Sequence, residues 1–221
     1  MPENFINLGP ENTRITSRNL FIKLWLHPRA TLRFILTNSP NAHVTQLLML
    51  GGVARAVGRI DYEHPRAASS ISNALLLAVL VGGLFGWFTY YAYAWGLSLG
   101  GQWLGGRATF NMCRTVVAWA LVPTIVSLVP MFLVVDIHST NSFRREVIDL
   151  PLSTETLTYL LTAFELILVM WAISILLAGI RLVQGFSMGR AVVCMLLPGV
   201  AILLFVGSIS LRMRVFEMAT T

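Results

Sequence analysis

Between Ile71 and Leu97 no charged side chain interrupts an apolar run long enough to cross a lipid bilayer, and this limits the chain more than any other feature. About 20 apolar residues in helical form cover the roughly 30 Å hydrocarbon layer of a membrane. No water inside that layer satisfies backbone N–H and C=O groups, so a crossing segment must close its hydrogen bonds on itself, as an α-helix does. Further apolar segments run over Phe110–Val135, Leu157–Leu182 and Ala191–Leu211. A shorter one, Val44–Val57, carries Gln46 and Arg55 around the continuous apolar core Leu47–Val53. The pattern predicts an all-α, polytopic transmembrane helical bundle of about five spans.

Composition agrees. Of 221 residues, 56% are hydrophobic and 12% charged, with a mean hydropathy of +0.71. A water-soluble domain carries about 25% charged residues, so too few polar side chains remain here to cover a globule. The net charge of +6 and pI near 10.0 do not point to nucleic acid. Fifteen of the 16 basic residues are arginines scattered near the ends of apolar segments, which favours membrane orientation and anionic headgroups. Cys113 and Cys194 sit inside predicted spans without metal-ligand spacing and read as small packing residues.

Four regions follow. Residues 1–16, with Pro2, Gly9 and Pro10, read as a mobile tail without the basic start and apolar core of a cleavable signal. Residues 17–40 place Leu20, Phe21, Leu24, Trp25, Leu32 and Ile35 at helical spacing, with Arg18, Arg29 and Arg33 on another side. Pro28 divides them into two short amphipathic helices, expected to lie along the membrane surface or to pack on the bundle. Residues 41–211 hold the spans, with polar connections at 58–70 and 136–156, and residues 212–221 form a polar tail.

Orientation follows from the basic residues. With a cytoplasmic N-terminus, nine fall on the cytoplasmic side (Arg14, Arg18, Lys23, Arg29, Arg33, Arg107, Arg114, Arg181, Arg190). Seven fall opposite (Arg55, Arg59, Arg66, Arg144, Arg145, Arg212, Arg214). The excess favours N-in.

Three segments carry a resemblance. Leu24-Trp25-Leu26-His27-Pro28-Arg29-Ala30-Thr31 precedes the first span. Leu104-Gly105-Gly106-Arg107-Ala108-Thr109-Phe110 is followed by an apolar run to Pro123. Trp171 leads on to Gly179-Ile180-Arg181-Leu182-Val183-Gln184-Gly185-Phe186-Ser187 and Arg190-Ala191. In order and spacing these resemble the Yip (Ypt-interacting protein) family of five-span membrane proteins over roughly Leu20 to Leu211. The resemblance implies an all-α bundle, a cytosolic N-terminus and homo- or hetero-oligomeric association. Eukaryotic members are linked to Rab-type GTPases and to traffic between endoplasmic reticulum and Golgi, but they carry a longer N-terminal region. The short stretch before Val44 therefore favours a bacterial-type member in the inner membrane, with a Golgi or endoplasmic reticulum membrane as the alternative. A Rab-type GTPase partner is implied only for a eukaryotic chain.

Gly105, Gly106 and Arg107 form the first candidate recognition loop. Two glycines permit backbone geometry barred to other residues, Thr109 is placed to cap the next helix, and Arg107 to meet a phosphate or an acidic partner. The same residues also suit a tight turn with a topology-setting arginine. Gly185, Ser187 and Arg190 form a similar turn, and with Arg29 and Arg107 they make a candidate basic collar for headgroups or partners, or simply a positive-inside anchor.

Three intramembrane polar residues stand out: Glu165, Arg55 and Arg114. Glu165 lies eight residues into the span from Leu157, about 12 Å deep, where a carboxylate must be protonated, paired or wet. Arg55, Asn73 and Arg114 are its candidate partners, and helix–helix bonding competes with a proton or cavity role. Gly82 with Gly86, and Gly96 with Gly100, have the spacing that lets helices approach, within one bundle or between copies. Pro123, Pro130 and Pro198 are expected to bend their spans.

No recognisable nucleophile elbow, phosphate loop, zinc-protease pair or paired-aspartate motif occurs, so no enzyme, metal or cofactor is expected. The sequence favours a non-enzymatic membrane protein that organises partners or lipids at the cytoplasmic face. The alternative is a small transporter or lipid-moving protein with Glu165 in an intramembrane polar cavity.

Overall fold

Pro28 carries no N–H, a lack that is harmless at the first position of a helix, and it opens one. The computed structural model describes residues 19–58, 71–130 and 154–201. Within them run α1 (Leu20–Leu26), α2 (Pro28–Asn38), α3 (Val44–Val57), α4 (Ile71–Trp103), α5 (Phe110–Ala120) and α6 (Val122–Val126). They are followed by α7 (Thr154–Gln184) and α8 (Met188–Ala201). The expected tail over 1–16, the polar connections over 59–70 and 136–153, and the end of the chain from 202 lie outside the described residues.

Three stretches are long and apolar enough to cross a membrane: Leu75–Trp103, Phe110–Pro130 and Tyr159–Gln184. Val44–Val57 and Met188–Ala201 are shorter apolar helices. With 14 residues, α3 is about 21 Å long, less than a full hydrocarbon layer.

The stretch containing α5 is the most buried of the three. Its core side chains include Val116, Val117 and Trp119, all at most 3% exposed. Pro123 removes the backbone donor that the Trp119 carbonyl would need in a continuous helix. The helix breaks there: α5 ends at Ala120, Leu121 forms a turn, and α6 begins at Val122.

Both glycine pairs meet neighbours in the same chain. Gly52 of α3 lies against Gly82 and Gly86 of α4, so closely that a Cβ on either Gly52 or Gly86 would strike the opposite backbone. Gly96 and Gly100 receive α8: a Cβ at Gly96 would lie 2.9 Å from Pro198 and one at Gly100 3.4 Å from Leu197. Small residues let backbones approach where lipid gives no hydrophobic drive for association.

The apolar stripe of α1 and α2 covers the bundle. Leu24, Leu32, Phe34 and Ile35 are buried in the main core, and the Phe21 ring sits 5.2 Å from that of Trp119. Packing on the bundle is thus what the stripe does, while Phe21, Ile22 and Leu26 stay exposed.

Candidate partner and lipid face

Helix α4 ends at a glycine with positive φ. Gly105 adopts φ +82°, its N–H reaches the Gln102 carbonyl at 3.0 Å, and the Gly106 N–H reaches Gly101 at 2.7 Å. This is the paired closure of a helix C-terminus that needs a left-handed residue. Gly185, at φ +72°, ends α7 with one bond from its N–H to the Arg181 carbonyl at 3.1 Å. The two turns therefore owe their shape to Gly105 and Gly185.

Gln184 joins the two turns. Its Oε1 accepts the Ala108 N–H at 3.0 Å, and its Nε2 donates to the Leu97 carbonyl at 3.4 Å and lies 3.9 Å from Cys113 Sγ. The Cys194 thiol donates to the same Leu97 carbonyl at 3.6 Å. A Cβ at Gly101 or Gly106 would collide with the Gln184 amide, and one at Gly106 would also sit 2.8 Å from the Phe186 ring. Gly106 thus supplies room, whereas Gly105 supplies backbone freedom. Thr109 stands at the N-cap of α5 in extended conformation, but its hydroxyl makes no capping bond, contrary to expectation. The amide of Gln184, 4% exposed, organises the loop from within instead.

Arg114 fastens a third turn to this end. Its Nη2 donates to Asn41 Oδ1 at 2.6 Å and its Nη1 to the Tyr91 hydroxyl at 2.9 Å. The guanidinium also lies 5.5 Å from the Tyr91 ring centre and 5.9 Å from that of Phe110, within cation–π range. Beside it the Thr115 hydroxyl donates to the Pro40 carbonyl at 2.6 Å. Of the three candidate partners of Glu165, Arg114 lies far from it. Gly179 packs on Val116, near Arg114, and Glu165 precedes Gly179 by 14 residues, about 21 Å along α7. Arg114 belongs to the loop end of the bundle and Glu165 to the other half.

Arg107 is exposed on the loop after α4, and Arg190 is exposed in the first turn of α8, just beyond the turn that Gln184 ties to that loop. Arg29 lies elsewhere, lining a cavity of about 400 Å³ with Arg33, Arg181, Ala30 and Leu182. The basic collar proposed from the sequence includes Arg29 but not Arg33 and Arg181, which count there only toward orientation. The i, i+4 spacing of Arg29 and Arg33, which puts both on one face of α2, was the available clue. Gln184 was likewise passed over, although it is an amide closing a long apolar span.

A second cavity, about 380 Å³, opens deeper in the bundle among α3, α4, α5, α6 and α7. Arg55 and Glu165 both line it, together with Tyr90, Tyr93, Thr124 and Ser127. Tyr93 donates to the Met195 carbonyl at 3.0 Å and Ser127 to that of Thr124 at 2.7 Å. Two of the three intramembrane polar residues singled out in the sequence thus share one cavity.

Long apolar helices packed through glycine contacts, with polar turns at one end, define a polytopic α-helical membrane protein. The family model for the Yip1 domain matches residues 22–209, and the chain belongs to that family. Neither the curated proteins nor the solved structures yield a match.

Proposed function

We propose that this Yip1-domain protein is a non-enzymatic organiser of the membrane, gathering protein partners or lipids at its cytoplasmic face, with the bacterial inner membrane as its location. The observation that carries this reading is the clamp of Gln184 on Ala108, which joins into one platform the loop bearing the exposed Arg107 and the turn before α8, whose first turn bears the exposed Arg190. Charge supports it too. Arg29, Arg33, Arg107, Arg114, Arg181 and Arg190 gather at this end, while Glu165 lies in the opposite half of α7. A basic end of this kind suits the cytoplasmic side of a membrane.

The test is lipid-preserving extraction of the protein, followed by mass spectrometry of what co-purifies, for the native chain and for Arg107→Glu. A partner or anionic lipid lost in a folded Arg107→Glu variant supports the platform. Undiminished association in that variant removes it.

A second reading draws on the cavity shared by Arg55 and Glu165: a small transporter or lipid-moving protein. Ionisable residues in contact with an intramembrane cavity are typical of such pathways. Reconstituted protein that moves a lipid or solute, and stops doing so with Glu165→Gln, would favour it over the organiser.

A further inference from the structure

Arg29, Arg33 and Arg181 line an open cavity between α2 and the end of α7, Arg29 and Arg33 being exposed at its rim and Arg181 half-buried, and no carboxylate lines it among the described residues. Three like charges gathered around one opening leave it electropositive, and an anion seated there relieves their mutual repulsion. Arg181 shows how little the protein offers: its Nη1 rests on Met188 Sδ at 3.9 Å, a weak acceptor, and its buried Nε has no hydrogen-bond partner. Each guanidinium carries five N–H donors in a planar fork that matches the oxygens of a phosphate. At about 400 Å³ the cavity also falls within the size range of small-ligand sites, roughly 300–1,000 Å³.

We propose that Arg29, Arg33 and Arg181 form a binding site for a phosphate group, carried by an anionic phospholipid. Position argues for the lipid as its source. Arg181 lies three residues before the end of the membrane-crossing stretch Tyr159–Gln184, at the level where a span leaves the hydrocarbon for the headgroups. Arg29 and Arg33 come from a helix docked against that same end, with Leu32 beside Gly179. Leu182 and Ala30 complete the lining and provide apolar contact for the glycerol and upper acyl region. The inference rests on the organiser reading, since it names one ligand of the basic end, but its residues differ from those of the Arg107 platform.

The experiment uses the full chain in detergent free of phosphorus. Native mass spectrometry reads retention of phosphatidylglycerol against phosphatidylcholine, and thermal unfolding reads stabilisation by inorganic phosphate alone. At about 1 kcal/mol per arginine, Arg29→Gln with Arg33→Gln weakens anionic lipid retention roughly 30-fold. Lys23→Gln, a basic residue of α1 that does not line the cavity, leaves it unchanged. Should the double glutamine variant not fold, Arg29→Lys with Arg33→Lys keeps the charge and removes the fork, and it lowers retention several-fold.

Preference for phosphatidylglycerol that is lost in the variants supports the lipid source. Stabilisation by inorganic phosphate, lost in the same variants without any lipid preference, keeps the phosphate chemistry but overturns the lipid. Lipid retention that ignores all three arginines overturns the site. Loss of association in Arg107→Glu with retained phosphatidylglycerol would leave the platform standing apart from this site, and the reverse pattern would separate them the other way.

Discussion

Gln184 Oε1 accepts the backbone N–H of Ala108 at 3.0 Å across 76 residues of sequence, and through that bond the ends of α4, α5, α7 and α8 become one structure. Both partners are buried, so neither has water to fall back on. Nη1 and Nη2 of Arg114 do the same for the turn between α2 and α3, by way of Tyr91 and Asn41.

Replacing Gln184 by Leu keeps the bulk but leaves the Ala108 N–H without its acceptor. A buried unsatisfied donor costs about 1–3 kcal/mol. The variant is expected to unfold at lower temperature in detergent, and to expose Cys113 and Cys194 to thiol reagents faster than the native chain. Labelling at the native rate would show that the amide is dispensable.

The glycines separate into two kinds. Gly106→Ala places a methyl group against the Gln184 amide and the Phe186 ring, and overpacking of this sort costs about 1–3 kcal/mol. Gly189→Ala, where a Cβ meets nothing within 4 Å, is expected to be neutral. Thermal unfolding of the two single variants side by side checks the contrast.

Gly52→Val is expected to force α3 from α4, because its added carbons point into the Gly82 carbonyl and the Gly86 backbone. Gly83→Ala, with Val53 Cγ2 at 3.7 Å, fits. Cross-linking between cysteines introduced on facing positions of α3 and α4 should fail in the first variant and persist in the second.

Arg114→Lys retains a positive charge but cannot bridge Asn41 and Tyr91 with one planar group. A loss of roughly 1–3 kcal/mol is expected from two charge-assisted hydrogen bonds. Asn41→Ala should cost far less in the lysine background than in the native one, which a double-mutant cycle measures directly.

The cavity of Arg55 and Glu165 makes a prediction about access. A cysteine placed at Glu165 should react with a small water-soluble thiol reagent, whereas one at Ile175, 1% exposed on the same helix, should not. Equal reactivity at the two positions would mean that the cavity is not a distinct wet compartment.

Several of these features were legible beforehand. Apolar length marked the crossing helices, Pro28 marked the break between α1 and α2, and Pro123 marked the break between α5 and α6. The loop Leu104–Phe110 and the turn Gln184–Ser187 drew attention through their glycines. Their partnership did not, because a lone glutamine has no spacing rule that names an acceptor 76 residues away. Which of Arg55, Asn73 and Arg114 stands near Glu165 was not legible for a related reason: depth along the packed helices decides it, and it brings Arg55 to the same cavity while leaving Arg114 at the loop end.

The sequence by itself determined that this chain lives in a membrane as helices, since hydrophobicity, helical period and the proline breaks are local properties written along the chain. It also placed positive charge beside particular helix ends. Only the tertiary structure decided which surfaces meet: Gly52 with Gly82 and Gly86, Gln184 with Ala108, Arg181 with Arg29 and Arg33. Those meetings depend on how each helix is rotated and how deep it sits, quantities set by the packing of all the helices together and carried by no single segment.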